Sequence, residues 1–537
     1  MRADSKNGTR LTVAAGVLLV VAVVVVGVLQ LLPDDPVDQA AADEPAVPAL
    51  TATDVATRFL DAFTAGDAEG AAALTDDAAG ARTTISQVWQ GLTPTSVVAG
   101  RDRIVEAADG KKSVVEPFGV TWDFGAGRTW TYDSALTVVE TDAGWQVRWL
   151  PAIVHPKLVA GHGLALRDQV GQPAVVDRDG APLMTWAEDG ATAVEPRVAP
   201  LLLPGMGRVA KGQSTTGGWQ VVLVDKAGKD LEALHGTQPK PFVSTVSRPV
   251  QQAAQAAVDA QRLPTMIVAI QPSTGELLAV AQNSAASAEP VALNGLYPPG
   301  STFKIATATA LIEAGVADVD TVLPCPKTAS IGSRTVDNAD FGLGDVPLRT
   351  AFAESCNTTF ATAAADLSLD ALPSAADQLG LGADFDIPGI VTEAGAVPAA
   401  GSTTEQVENS IGQGTVQASC FGMAMVTATV ASGQAVTPKL WRGLETTVNA
   451  GYHAPPAPVI GSLRTMMRAV VTEGRGSALA GHGSVFGKTG TAQTGRDSAH
   501  GWFTGYRDDV AFATLVLDSG TSSTAVTVSG AFLGAFG

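Results

Sequence analysis

Between residues 51 and 75 apolar positions recur at helical spacing: in TATDVATRFLDAFTAGDAEGAAALT, Val55, Phe59, Leu60 and Phe63 fall on one stripe. The period then shortens. VTWDF, RTWTYDSALTVVE and GWQVRWLPAIVHP alternate like strands of a curved antiparallel sheet, so a small α+β domain is predicted over 51–155, with Trp122, Trp130, Trp145 and Trp149 as core or interdomain residues. From 156 to 249 short strand-like pieces separated by polar turns (GQPAVVDRDG, VVLVDKAGKDLEALHG, KPFVSTVSRP) predict a strand-rich linker or pedestal domain. The region 250–537 opens with a helix, VQQAAQAAVDAQ, and a hairpin in which a Pro-Ser-Thr-Gly turn joins the apolar runs of PTMIVAIQPSTGELLAVAQ. A mainly helical middle follows. SVFGKTGTAQT and AHGWFTGYRDDVAFATLVLD then read as strands, and STAVTVSGAFLGAFG as a short closing helix. The whole is an α+β multidomain chain whose last region is predicted as an α/β domain, an antiparallel sheet flanked by helices.

Ahead of these elements, Leu11 to Leu32 carry no charge and are long enough to cross a bilayer as a helix. Arg2, Lys6 and Arg10 precede the run, and no Lys or Arg follows it closely, so the positive-inside bias points the N-terminus into the cytoplasm and everything after Leu32 outside. Residues 1–32 are thus expected to be a cytoplasmic tail and single transmembrane anchor, and the Pro- and Asp-rich 33–50 a spacer. A signal peptide cut at Ala42 is the competing reading, but its apolar core would run only about 7–15 residues. Either exports the main body. With 34 Lys and Arg against 53 Asp and Glu, the net charge of −19 excludes a nucleic-acid backbone as partner. Three cysteines and six histidines show no metal-ligand spacing, so no cofactor or metal is expected. Export permits one disulfide. Cys325 and Cys356 are a candidate pair, and the other reading makes Cys356 a buried small hydrophobe.

The chemistry-bearing elements all lie in 250–537. In YPPGSTFK the prolines and Gly300 punctuate the chain before the helical run IATATALIEAG, which predicts Ser301 at a helix start with Lys304 one turn along on the same face. AESCNTTF contributes Ser355 and Asn357, and GKTGT contributes Lys488, Thr489, Gly490 and Thr491. In this order the three form the S-x-x-K, S-x-N and K-T-G set of serine enzymes acting on penicillin-like amides. A serine hydroxyl needs a neighbouring base, and Lys304 serves if burial or a second cation, Lys488, lowers its pKa. Ser355 can relay a proton to the leaving amine, and Asn357 can donate near Lys304 or to a substrate carbonyl. Thr489, Thr491 and Lys488 can grip a terminal carboxylate, Gly490 lets substrate approach the strand, and the backbone N–H groups of Ser301 and Thr491 can form the oxyanion hole. A phosphate loop is excluded because His482 stands where its first glycine belongs.

Taken together these stretches resemble a high-molecular-weight class B penicillin-binding protein of actinobacterial type. YPPGSTFKIATATALIEAG resembles the family's active-site helix, ESCNTTF its second motif, FGKTGTAQT its third and HGWFTGY the following strand; NSIGQG, around Gly412 and Gly414, resembles a further core segment. Residues 51–155, ending in WQVRWLPAIVHPKL, resemble an NTF2-like domain. In GQPAVVDRDG this chain has Gln172-Pro173 where the family usually has Arg-Gly. The resemblance implies a serine transpeptidase (β-lactamase-like) fold over 250–537 and a peptidoglycan D,D-transpeptidase in which Ser301 takes the acyl group of a stem peptide. It further implies β-lactams as covalent inhibitors, with stem peptides, lipid-linked or nascent glycan strands and the membrane as partners, besides a glycosyltransferase and elongation or division proteins. The same motifs leave open a D,D-carboxypeptidase, a β-lactam-sensing receptor or a non-catalytic divisome scaffold.

Overall fold

The computed structural model describes residues 50–100, 112–168, 170–187, 190–213, 218–237, 240–495 and 498–536. Helix α1 (Ala52–Thr64) starts at a capping box: Thr51 Oγ1 accepts from the Asp54 N–H at 3.1 Å, and the Asp54 carboxylate accepts from the Thr51 N–H at 2.9 Å. The predicted stripe, Val55, Phe59, Leu60 and Phe63, is buried. Helices α2 (Ala68–Ala72) and α3 (Ala78–Leu92) are capped by Asp67 and Asp77. All three cover the meander β1 (Ser96–Gly100), β2 (Ser113–Asp123), β3 (Thr129–Thr141) and β4 (Gly144–Val147). Trp122 is fully buried, with its ring edge-on to Phe63 at 5.9 Å; Trp130 and Trp149 are buried and Trp145 packs half-buried against the same core.

The strand-rich segment that follows divides between two cores. Strands β5 (Gly163–Asp168), β9 (Trp219–Val224) and β10 (Asp230–Thr237) form a three-stranded antiparallel sheet, and Leu164, Trp219, Val221 and Leu223 fill out the core of the front domain. Strands β6 (Pro173–Val176), β7 (Pro182–Ala187), β8 (Gly190–Ala193) and β11 (Phe242–Ser244), with helix α4 (Leu203–Gln213), turn instead toward the C-terminal region: Val175, Met184, Trp186 and Met206 share a core with Met266, Phe352 and Trp441. β11 bridges the two parts, parallel to β6 and antiparallel to a two-residue strand at Trp441–Arg442.

The C-terminal region runs through α5 (Arg248–Asp259), β12 (Thr265–Ile270), β13 (Leu277–Gln282), α6 (Lys304–Glu313), α7 (Asn357–Ala364), α8 (Cys420–Ser432), α9 (Ala457–Thr472), β14 (Val485–Gln493), β15 (Ala499–Arg507), β16 (Val510–Val516) and α10 (Ser522–Ala535). The five strands form one antiparallel sheet in the order β13-β12-β16-β15-β14. Along β12 alternate residues enter different cores, Met266, Val268 and Ile270 on the side of α8, Ile267 and Ala269 on the side of α5 and α10. Both faces are covered, which is why these strands read as unbroken apolar runs. The closing helix, expected to be short, extends over 14 residues and packs on α5 and β15. β14 lies at the edge of the sheet, and that edge carries the third motif. No helix among the described residues is long and apolar enough to cross a membrane; the predicted anchor and the spacer up to residue 49 lie outside them.

Candidate active site

Three glycines bring three backbones together around Ser301. Gly300, at φ +53°, donates its N–H to the Gly412 carbonyl at 2.9 Å. A Cβ on Gly412 would stand 1.9 Å from the Gly300 oxygen, and one on Gly490 would stand 2.9 Å from the Pro299 oxygen and 2.8 Å from Thr302 Cγ2. The missing Cβ of Gly490 thus lets the strand approach this turn. Gly300–Phe303 form a 3-10 turn that passes directly into α6 at Lys304, and the Lys304 N–H donates to the Ser301 carbonyl. Ser301 is half-buried and Lys304 fully buried. Trp502 Nε1 donates to the Pro298 carbonyl at 3.0 Å, tying the turn to β15.

The second motif sits where α7 begins. Ser355 has φ +63°, a left-handed conformation unusual for a residue with a Cβ, and Asn357 is the first helical residue. Between them Cys356 is disulfide-bonded to Cys325, with Cα atoms 6.2 Å apart. Cys420 is a buried free thiol whose pKa burial pushes up to about 12. The start of α7 is capped from another segment: Asn338 Oδ1 accepts from the N–H groups of Asn357 (2.7 Å) and Thr358 (3.1 Å).

Lys304 and Lys488 meet over this turn. Lys304 Nζ donates to Asn357 Oδ1 at 2.7 Å and to the Ser355 carbonyl at 2.8 Å, and lies 3.4 Å from Ser355 Oγ. Lys488, fully buried on β14, donates to Ser355 Oγ at 2.9 Å and to the Thr489 carbonyl at 2.9 Å. Two buried amines thus share one hydroxyl. Burial foremost, then the charges of Lys488 and Arg475, hold Lys304 well below the ordinary lysine pKa. Burial and Arg475 likewise bring Lys488 down to about 7, against a smaller upward pull from Glu354. Arg475 reaches the site through its Nε, which donates to the Glu354 carbonyl at 2.7 Å, one residue before Ser355.

Lys304, Ser355, Asn357 and Lys488, separated by up to 184 positions in the sequence, are thus hydrogen-bonded together, and Ser301 lies on the turn that runs into Lys304. Thr489 and Thr491 lie on the adjoining edge strand. Thr489 is buried, and the half-buried Thr491 uses its hydroxyl to accept the Ser522 N–H at 3.2 Å, at the start of α10. Asn357 was expected to donate toward Lys304; its carbonyl oxygen accepts instead, because Nδ2 donates to the Asp337 carbonyl at 2.9 Å. Asn338, Arg475 and the Gly412 carbonyl escaped the sequence reading. The first two stand far from any motif and the third acts through backbone; only the glycine spacing of NSIGQG hinted at it.

Half the chain, residues 265–535, matches the family described as penicillin binding protein transpeptidase domain. The chain belongs to that family. Residues 51–162 match a second family, the NTF2-like N-terminal transpeptidase domain. Among curated proteins the chain is 32% identical over 314 residues to peptidoglycan D,D-transpeptidase PbpA of Mycolicibacterium smegmatis, covering 47% of this chain and 62% of that one. It is 30% identical over 278 residues to the protein of the same name from Mycobacterium tuberculosis, covering 44% and 56%. The matched part thus spans less than two thirds of these relatives. Among solved structures, the D,D-transpeptidase domain of an Eggerthella lenta peptidoglycan glycosyltransferase superposes with a TM-score of 0.55 at 23% identity, over 69% of this chain and 98% of that one. Penicillin-binding protein A of M. tuberculosis, as its ceftriaxone acyl-enzyme, superposes with a TM-score of 0.53 at 22% identity, over 68% and 98%. At these identities the structural likeness speaks for the fold.

Proposed function

We propose that the chain is a peptidoglycan D,D-transpeptidase working through an acyl-enzyme on Ser301, and the observation that carries the reading is the buried chain Lys304–Ser355–Lys488 beside the Ser301 turn. In this reading Ser301 Oγ attacks the carbonyl of the penultimate D-Ala of a stem pentapeptide while unprotonated Lys304 takes the hydroxyl proton. The tetrahedral oxyanion is held by the backbone N–H groups of Ser301 and Thr491. The C–N bond breaks, and Ser355, hydrogen-bonded to both lysines, passes a proton to the departing D-Ala amine. An amine from a second stem peptide then attacks the Ser301 ester, gives up a proton along the same relay and forms the cross-link. Lys488, with Thr489, Gly490 and Thr491 on the sheet edge, holds the donor's terminal carboxylate. Penicillin-binding protein A of M. tuberculosis forms acyl-enzymes with ceftriaxone and imipenem, and the same fate is proposed for Ser301 with β-lactams.

The placement belongs to the same proposal: a single span at residues 11–32, N-terminus in the cytoplasm, a spacer to residue 50, an NTF2-like domain to 155, a linker region to 249 and the transpeptidase domain outside the membrane. Its charge-free stretch and flanking Arg2, Lys6 and Arg10 support this. Lipid-linked or nascent strands would reach the site there, alongside a glycosyltransferase and the elongation or division machinery. Peptide mapping after labelling with penicillin tests the nucleophile: the adduct should sit on Ser301 and vanish in S301A, and an adduct persisting in S301A would overturn the assignment.

A further inference from the structure

We propose that Asn338 is a positioning residue for acylation, setting the amide of Asn357 so that its oxygen faces the Lys304 amine. The inference rests on the transpeptidase reading for the role of Lys304. Asn338 is 1% exposed and lies in the strand-to-loop exit that follows Arg334–Asp337, 19 residues before Asn357. Its carbonyl oxygen accepts from two of the N–H groups that a helix start leaves unpaired, those of Asn357 and Thr358. Its amide nitrogen donates to the Pro326 carbonyl at 2.7 Å and to Thr358 Oγ1 at 2.8 Å, and sits 3.3 and 3.4 Å from the sulfurs of Cys356 and Cys325. Every hydrogen-bonding direction of a planar amide is in use, so the side chain has one orientation here.

The neighbouring carbonyl completes the jig. The Asp337 oxygen accepts from Asn357 Nδ2, which fixes the Asn357 amide with Oδ1 turned toward Lys304 Nζ. Residues 337 and 338 therefore set both the backbone and the side-chain orientation of Asn357. Ser355, two residues earlier in a left-handed turn, is held by the same anchored helix start. An ordinary helix cap would come from the residue before the helix, but that position is Cys356, which is committed to the disulfide. A cap brought from a separate segment ties the second motif to the hairpin Thr328–Ile331/Arg334–Asp337 as well as to the Ala351 and Phe352 carbonyls just before it.

The test is stopped-flow acylation of the full chain by a chromogenic cephalosporin, separating the binding constant from the acylation rate constant, with melting temperatures alongside. N338A should lower the rate constant roughly 10- to 100-fold, as for loss of reactive geometry, and leave the binding constant nearly unchanged. V336A removes a buried side chain that packs on Ala361 of α7 but makes none of the cap's hydrogen bonds; it should lower the melting temperature and lower the rate constant far less than N338A. N338D retains an oxygen for the two N–H donors but sets its second oxygen against the Pro326 carbonyl in place of a donor, so it should recover only part of the lost rate; it serves also if N338A does not fold. An N338A chain acylating at the native rate, a V336A chain losing as much rate as N338A, or a folded N338D no faster than N338A would each overturn the proposal. A native chain that forms no adduct on Ser301 would overturn the transpeptidase reading instead.

Discussion

At the scale of single residues, the account turns on one proton. Lys304 is a base only while it lacks that proton, and burial together with the charges of Lys488 and Arg475 makes the unprotonated form accessible well below pH 10.5. Acylation should therefore rise with pH through the depressed Lys304 pKa and level off well short of the ordinary lysine value. Removing a positive neighbour favours the protonated amine. R475A should accordingly move the rising limb to higher pH, and only modestly, because the Arg475 side chain is half-exposed and solvent screens it. A pH profile of acylation that overlays the native one would remove Arg475 from the electrostatics. K304A should slow acylation by about 10²- to 10⁴-fold, the usual share of a general base, measured with the same cephalosporin. Ser301, Lys304, Ser355, Asn357 and Lys488 were picked out in the sequence by the order and internal spacing of three short motifs. Arg475 and Asn338 were not legible, because what makes them matter is the fold bringing residues from other segments against Ser355 and Asn357.

At the scale of elements, the site depends on backbones meeting where no side chain fits. G490A puts a Cβ within 3 Å of the Pro299 oxygen and Thr302 Cγ2, against the turn that carries Ser301. Acylation should fall about tenfold or more and the melting temperature should fall with it, because the atoms the Cβ meets are largely backbone of the turn; native rates in G490A would show that the approach is not critical. The disulfide acts on the same motif from the other side. Closing 31 residues between Cys325 and Cys356 should stabilise the chain by about 3–4 kcal/mol on the loop-entropy argument. Denaturant unfolding of the C325S/C356S double variant measures it, and thiol counting on the denatured, unreduced protein should find only Cys420 free. The sequence left that pairing open because spacing alone cannot say which thiols meet. It did give the helical stripe of α1 and the hairpin of β12 and β13, where period and turn residues are local. The length of α10 was underestimated because its small, apolar residues carry almost no amphipathic signal.

At the scale of the whole molecule, the boundary between front and catalytic parts runs through the strand-rich segment rather than beside it. β5, β9 and β10 complete the front core, whereas β6 to β8 and β11 complete the catalytic one. No pattern in the sequence marks this division, since β11 finds its partners at Val175–Val176 and Trp441–Arg442 through long-range pairing alone. A chain truncated to residues 250–537 would lose Val175, Met184, Trp186 and Met206 from the large core and should melt well below the full chain; equal melting temperatures would show that the segment is dispensable for stability. The central claim concerns what happens to the Ser301 ester, which water or an amine can resolve. The decisive measurement supplies the full chain in membranes with glycan strands bearing pentapeptides, followed by muramidase digestion and mass spectrometry of the muropeptides. Penicillin-sensitive cross-linked dimers, absent with S301A, are the predicted result. Release of D-Ala with only tetrapeptide monomers would contradict it and make the chain a carboxypeptidase.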